Sequence, residues 1–305
     1  MQSGTYNSVF EFLQAFPDEQ ACIRHLEQLR WPNGVVSPYD PTSKVYDYGH
    51  GKYRCSKTGK NFNVKINTLF ESTKLPLQKW FLAIWLVTTH KKGLTSVQLG
   101  KDLAVTQKTA WFLLQRIREC FHMTATVKLH GEVELDETFI GGKNKNRHYN
   151  KKVCNCQGRS FKDKIPVMGM LERGGRLICK VVRDTSYRSL TIPILRAVER
   201  TAVLFSDEWS GYRVINRLYQ HYIVDHGREQ YVDGNAYTNT IEGFWGILKR
   251  GLIGIYNSVA RKHLQRYVNE FVFRYNTRKV NNSERFNLLL CNAEHRITYF
   301  QLING

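Results

Sequence analysis

Four acids, Glu132, Glu134, Asp136 and Glu137, crowd the strand-like segment GEVELDETFIGG in a chain whose formal net charge is +19. A further acid, Asp207, follows the apolar AVLF of AVLFSDEWSGY, where a strand gives way to a turn. Glu242 lies in TNTIEGFWGILKR, where Asn239, Glu242, Gly246 and Lys249 stand at offsets of three, seven and ten and so share one face of a helix. Asp136, Asp207 and Glu242 would come from three separate elements, as hard divalent cations require. Mg²⁺ takes a few carboxylate oxygens and completes its shell with water and phosphate, and two such ions can activate an attacking oxygen and stabilise a leaving one. Carboxylates facing a polyanion with no cation between them would only repel it. Plainer accounts exist: an acid at a strand end marks solvent, and the Asn239 to Lys249 face is a solvated polar stripe.

The partner of such a site is indicated by charge. Forty-five Lys and Arg stand against 26 Asp and Glu, for a pI near 9.7, a balance that attracts polyanions over long range. Hydrophobic content of 42% and aromatic content of 12% describe a folded chain. The N-terminal MQSGTYNSVFEFLQAF lacks the charged start and apolar core of a secretory signal, and the longest apolar run, WFLAIWLV from Trp80 to Val87, is too short to span a bilayer. No membrane role is expected. The seven cysteines have no disulfide-framework spacing, so free thiols in the cytoplasm are expected.

Three textures follow one another along the chain. To about Asn67 it is turn-rich, with short β-prone pieces behind a helix from about Ser8 to Leu29. From Thr68 to about Met123 it is helical: PLQKWFLAIWLVTTHKKG gives an apolar helix. Then a short helix near Ser96 to Leu103, a tight turn at Ala104 and Val105, and a longer helix capped near Thr106 resemble a helix-turn-helix. A plain helical hairpin fits that pattern equally well. From about Lys128 the pattern is mixed α/β, with strands at GEVELDETFI, IPVMGMLER, RLICKVVRD, AVLFSDEW and HYIVDH. Helices fall at RSLTIPILRAVER, NTIEGFWGILKR and RKHLQRYVNEFVFRYN. This order suits one mixed central sheet. On an ideal strand Glu134 shares the parity of Asp136 and Glu137 points the other way. Glu132 and Glu134 are read as surface or supporting residues rather than ligands.

Taken together, VELDETFIGGKNKNRH, LFSDEWSGY, YTNTIEGFWGILKRGLIGIYNSV and HLQRYVNEFVFRYNTR resemble the bacterial insertion-sequence-1595 transposases, the ISXO group with a DDE-type nuclease domain. RWPNG, YRC and KLPLQKWFLAIWLV fit the same family's N-terminal half. The resemblance implies an α/β, ribonuclease-H-like catalytic domain over residues 128–300, a zinc-ribbon-like unit over 1–67 and a helical DNA-binding region over 68–125. It implies two divalent ions, Mg²⁺ or Mn²⁺, cleavage at transposon ends and joining of the freed 3′-hydroxyl to target DNA. The partners would be double-stranded DNA, both terminal inverted repeats and target, and further copies of the chain on paired ends. Asp136 and Asp207 match the first two acids and Lys249 the basic residue after the third position. Glu242 is favoured for that third position because it precedes Lys249 by two helical turns and offers a charged oxygen; Asn239 is the neutral alternative.

Two departures from the family matter. Its four zinc thiolates would fall at Ser37, Asp40, Cys55 and Thr58, and only Cys55 remains, so the ribbon is degenerate and no structural zinc is expected. The family's His before TNTIEGFW is Tyr237 here, and His226 matches a family position better. Cys154 and Cys156 stand too close for a zinc pair and are assigned no metal. For DNA phosphates, Lys143, Lys145, Arg147, Lys151 and Lys152, with Arg159, Lys162 and Lys164, crowd the loop after the first acidic strand. Between Phe244 and Arg285, Tyr267, Phe271 and Tyr275 recur every four residues as a packing stripe, leaving Arg261, Lys262, Arg266 and Arg274, with Arg250, as DNA candidates. The alternative to an active nuclease is a transposase-derived DNA-binding protein whose site is dead: the lost ribbon cysteines favour it, and the retained acids and Lys249 favour the enzyme.

Overall fold

The structure is a computed structural model and describes residues 5–122, 127–142, 144, 148–154, 164–207, 209–223, 239–294 and 296–304. Contacts divide the chain into two compact units, Met1–Met123 together with Lys279–Gly305, and Thr124–Arg278. This differs from the three-part division expected above: the first two expected domains form one unit, and the third ends at Arg278 rather than at residue 300. The reason is aromatic packing. Helix α9 (Asn282–Cys291) carries Phe286, whose ring lies 5.3 Å from that of Phe12 and 5.4 Å from that of Phe81. Ser283 adds a polar tie, accepting from the Tyr6 amide at 2.8 Å and donating to its carbonyl at 2.7 Å.

In this first unit, the single N-terminal helix expected is two, α1 (Val9–Ala15) and α2 (Glu19–Arg30). Pro17 cannot supply a helical N–H and keeps Phe16 out of the helical region, and Asp18 restarts the chain by accepting from the Ala21 amide at 2.7 Å. Three short strands, β1 (Val45–Asp47), β2 (Tyr53–Cys55) and β3 (Asn61–Phe62), form an antiparallel meander that buries Tyr53, Cys55 and Phe62. The apolar run lies in α3 (Leu77–Thr89), buried along most of its length, and among the described residues no helix is long and apolar enough to cross a membrane. Helices α4 (Ser96–Asp102) and α5 (Gln107–Glu119) meet at Ala104, whose φ is +49°, and Thr106 caps α5 by accepting from the Thr109 amide. The hairpin is therefore present. Between Ala110 and Arg118, however, α5 is buried on most sides, and Gln107 and Lys108 in its first turn are the residues it leaves exposed.

The second unit is built on a five-stranded sheet in the order β6-β5-β4-β7-β8: β4 (Glu132–Ile140), β5 (Ile165–Glu172), β6 (Leu177–Val181), β7 (Val203–Ser206) and β8 (Gln220–Ile223). The first three strands form an antiparallel meander; β7 and β8 run parallel to β4, and α6 (Tyr187–Ala197) makes the crossover from β6 to β7. Alternation along the strands separates two cores. On one face Val133, Leu135, Met168 and Met170 pack with Leu190 and Ile194 of α6 and with Tyr212. On the other, Val167 and Leu171 pack against Ile241, Trp245 and Leu248 of α7 (Asn239–Gly254) and Leu264 and Phe271 of α8 (Arg261–Asn276). This second face of β4 carries Glu134 and Asp136. The expected packing stripe of α8 is seen in its buried Tyr267 and Phe271.

Candidate active site

Asp136 stands mid-strand on the α7 face of β4. Its Oδ1 accepts from the Glu137 backbone amide at 2.8 Å and its Oδ2 accepts from the Trp245 indole Nε1 at 2.8 Å. Burial pushes its carboxyl up to about 6, the negative charges of Asp207 and Glu242 push the same way, and the two N–H donors oppose them. The parallel register pairs Glu134 with Phe205, and continuing it by two residues brings Asp136 level with Asp207, just past the end of the neighbouring strand. Neighbouring strands run about 4.8 Å apart. Asp207 lies just past the C-terminal end of β7, where α/β sheets place ligand sites; its Oδ1 accepts from the Trp209 amide at 3.1 Å.

Glu242 and Lys249 are exposed on α7, while Ile241, Phe244, Trp245 and Leu248 are buried, as the helical face predicts. Asn239 is the first residue of α7; its side chain lies outside the described structure. Asp136 thus lies within the field of both other expected acids, Asp207 and Glu242. Among the described residues, no three His, Cys, Asp or Glu side chains are drawn together closely enough to hold a metal ion. The fit to divalent cations is one of donor type and charge: oxygen ligands only, on separate elements, with a half-buried carboxylate whose like-charged neighbours oppose its ionisation.

Other groups of β4 hold this arrangement, and sequence reasoning underrated them. Glu134 is not at the surface. It is fully buried, its Oε2 accepts from the Ile241 amide in the first turn of α7 at 3.0 Å, and its Oε1 faces Arg173 Nε at 3.3 Å. Burial raises its pKa; the Ile241 amide, the Thr240 hydroxyl and Arg173 lower it. A strand carboxylate therefore caps the helix that brings Glu242 and Trp245 to Asp136, with the sign the helix dipole favours. Arg173 also pairs with exposed Glu132 at 2.5 Å and lies 4.1 Å from the Phe205 ring centroid. Glu137 points to the opposite face, as its parity requires, and accepts from the Tyr212 hydroxyl at 2.5 Å, which raises the pKa of that buried phenol further. A buried Trp needs a partner for its N–H, and Trp245 in EGFWG was the available signal for the Asp136 contact.

Of the DNA candidates, Lys152, Arg250, Arg261 and Lys262 are exposed and Lys164 and Arg266 half-buried. Arg261 donates to the Arg183 carbonyl at 3.3 Å. Lys143, Lys145, Arg147, Arg159 and Lys162 lie outside the described residues, as do His226, Tyr237 and Cys156, and of Lys151 only the backbone is described. Arg274 is corrected: it pairs at 2.5 Å with fully buried Glu270, so its charge is spent within the protein.

The elements above define a mixed α/β domain in which an antiparallel meander is extended by two parallel strands, with Asp136 on the first strand and Asp207 just past the end of the fourth. Residues 128–276 match the model of the ISXO2-like transposase domain. A protein of Halobacterium salinarum described as an uncharacterized protein in transposable element ISH50 is 26% identical over 277 residues, covering 86% of this chain and 92% of its own length. Among solved structures, the Mos1 strand transfer complex aligns over 70% of this chain and 75% of that chain at 12% identity with a TM-score of 0.29. A pre-cleavage Mos1 transpososome aligns over 70% of this chain and 79% of that chain at 12% identity with a TM-score of 0.27.

Proposed function

We propose that the chain is the DDE-type transposase of an insertion sequence, cutting the element's ends and joining the freed 3′-hydroxyl to target DNA through Asp136, Asp207 and Glu242. The observation that supports it most is the placement of Asp136 on β4 and of Asp207 just past the end of the adjacent parallel strand β7, within the matched domain, with the charge of Glu242 reaching Asp136. Asp136 and Asp207 would hold two divalent ions, Mg²⁺ or Mn²⁺, with Glu242 as third ligand and Asn239 as the neutral alternative. When bound, such ions activate the attacking oxygen and stabilise the leaving one. The chain's own part is positional. The strands fix two carboxylates, α7 presents the third, and exposed Lys249 neutralises a phosphate near the scissile bond. Arg250, Arg261, Lys262 and Arg266, with Lys143, Lys145, Arg147, Lys151 and Lys152, would grip flanking phosphates with salt-sensitive affinity. The α4-α5 hairpin would reach DNA through the first turn of α5. Further copies of the chain would assemble on paired ends, in the cytoplasm at the nucleoid.

The second reading, a DNA-binding protein with a silent site, draws on the lack, among the described residues, of three acids within ligating range of one ion. Strand transfer separates the two. With Mg²⁺ or Mn²⁺ and labelled DNA from the flanks of its own gene, wild type should join ends, and Asp136→Asn should bind those ends without joining them. Loss of joining in Glu242→Gln but not in Asn239→Ala assigns the third ligand to Glu242; the reverse assigns it to Asn239. Wild type that binds these ends but neither cuts nor joins them with either metal would leave the silent-site reading standing.

A further inference from the structure

The residue of β5 directly across from Asp136 is Gly169. A mid-strand glycine weakens a strand and often marks a place where another group must come close. Here that group is Trp245: a Cβ on Gly169 would lie 2.6 Å from the indole Cζ2 and 2.7 Å from Cη2, and 2.7 Å from Ile241 Cδ1. The missing side chain opens a slot in the sheet face, the indole of α7 fills it, and from there its Nε1 reaches Asp136 Oδ2 at 2.8 Å. Trp245 is only 4% exposed, so the ring cannot swing out to water without emptying the slot. The other carboxylate oxygen is held by the Glu137 amide. Each oxygen thus gives one lone pair to a fixed donor, and the orientation of the carboxylate is set before any ligand arrives.

We propose that Trp245, seated in the Gly169 slot, is a positioning residue for Asp136: its indole N–H fixes the carboxylate for divalent-cation binding. This rests on the nuclease reading above. Trp245 touches neither DNA nor ion; it acts through Asp136, as partners of metal ligands do.

The test uses the full chain and Mn²⁺ alone, with free ion followed by electron paramagnetic resonance, alongside end joining. Trp245→Phe keeps an aromatic ring for the slot and removes the donor. It should weaken Mn²⁺ binding roughly ten- to a hundred-fold, the range seen when partners of metal ligands are removed. End joining should fall at low Mn²⁺ and recover in part at high Mn²⁺, with metal-free binding of DNA ends unchanged. Gly169→Ala, which displaces the ring while leaving Trp245 and Asp136 in place, should shift Mn²⁺ binding in the same direction. Wild-type Mn²⁺ affinity in Trp245→Phe would overturn the proposal. Asp136→Asn separates the two levels: if it too binds Mn²⁺ as wild type does, the metal-site reading has failed, whereas loss in Asp136→Asn alone removes only the role of the indole. Should Trp245→Phe not fold, the wild-type Trp245 indole N–H resonance, assigned by its contact with Gly169, should move when Mg²⁺ is added. A resonance that stays still contradicts the proposal.

Discussion

Each of the two sheets of this chain holds a titratable side chain driven to about 6, the two from opposite directions. Cys55 in the N-terminal meander is fully buried, and hydrogen bonds from Ser37, Ser43 and Thr58 lower its thiol to about 6. The Ser43 hydroxyl also donates to the Lys44 carbonyl, so Ser37 and Thr58 are the donors freest to face the sulfur. Asp136 in the five-stranded sheet is raised to about 6, chiefly by burial. One environment was filled with hydroxyls that favour a lone anion; the other keeps a carboxylate beside further acids that oppose its ionisation. In the meander, neutral donors surround the lone thiol. The acids of the larger sheet are mutually unfavourable unless a cation joins them.

Removing the support for the acids should have the largest effect on stability. Glu134→Ala leaves the Ile241 amide without its acceptor and strips Arg173 of its buried partner. A loss of about 3–5 kcal/mol is expected, the range for breaking a buried pair from one side, read as a fall in denaturant midpoint. A change below about 1 kcal/mol would mean that Glu134 does not hold α7 to β4.

Asp136 itself should do the opposite. Its folded pKa is raised from 3.8 to about 6, so the folded state holds a proton that the unfolded chain has released. Stability should therefore fall as pH rises from about 4 to 6 and level off above. In metal-free buffer Asp136→Asn should be more stable than wild type at pH 7.5, by on the order of 1–3 kcal/mol, with the advantage fading towards pH 4. An advantage independent of pH would show that the carboxylate is not the strained group.

For Cys55 the sign is reversed. A lowered thiol pKa contributes stability above the unfolded value near 9, and that contribution is lost as pH falls through about 6. Wild type should gain stability relative to Cys55→Ser between pH 6 and 9, and Ser37→Ala should flatten the gain. Parallel thermal-melt profiles for wild type and Cys55→Ser would remove this half of the comparison.

Much of the larger sheet could be read from sequence because its signals are local. The alternation in VELDETFI gave β4 and the faces of Asp136 and Glu137, and the periodicity of RKHLQRYVNEFVFRYN gave α8 from Arg261 to Asn276. What escaped was set by distant partners. Trp245 lies 109 residues from Asp136, and Ile241 lies 107 residues from Glu134, so no window along the chain shows either contact. Glu134 reads from sequence as either a surface or a supporting acid because strand parity identifies a face but not what covers it. Helix α9 looked like the end of the second unit because its role is decided by the rings of Phe12 and Phe81, far back in the chain. Pro17, a local signal for the break between α1 and α2, was there to be read.

The most direct test of the central claim exchanges the ligand atom of Asp136. A thiolate in its place suits softer cations than Mg²⁺. Asp136→Cys should lose end joining in Mg²⁺ by roughly a thousand-fold, in line with the several kcal/mol a metal centre contributes, and regain part of it in Mn²⁺. Wild-type rates for Asp136→Cys in Mg²⁺ would show that Asp136 carries no metal, and the site drawn here would be wrong.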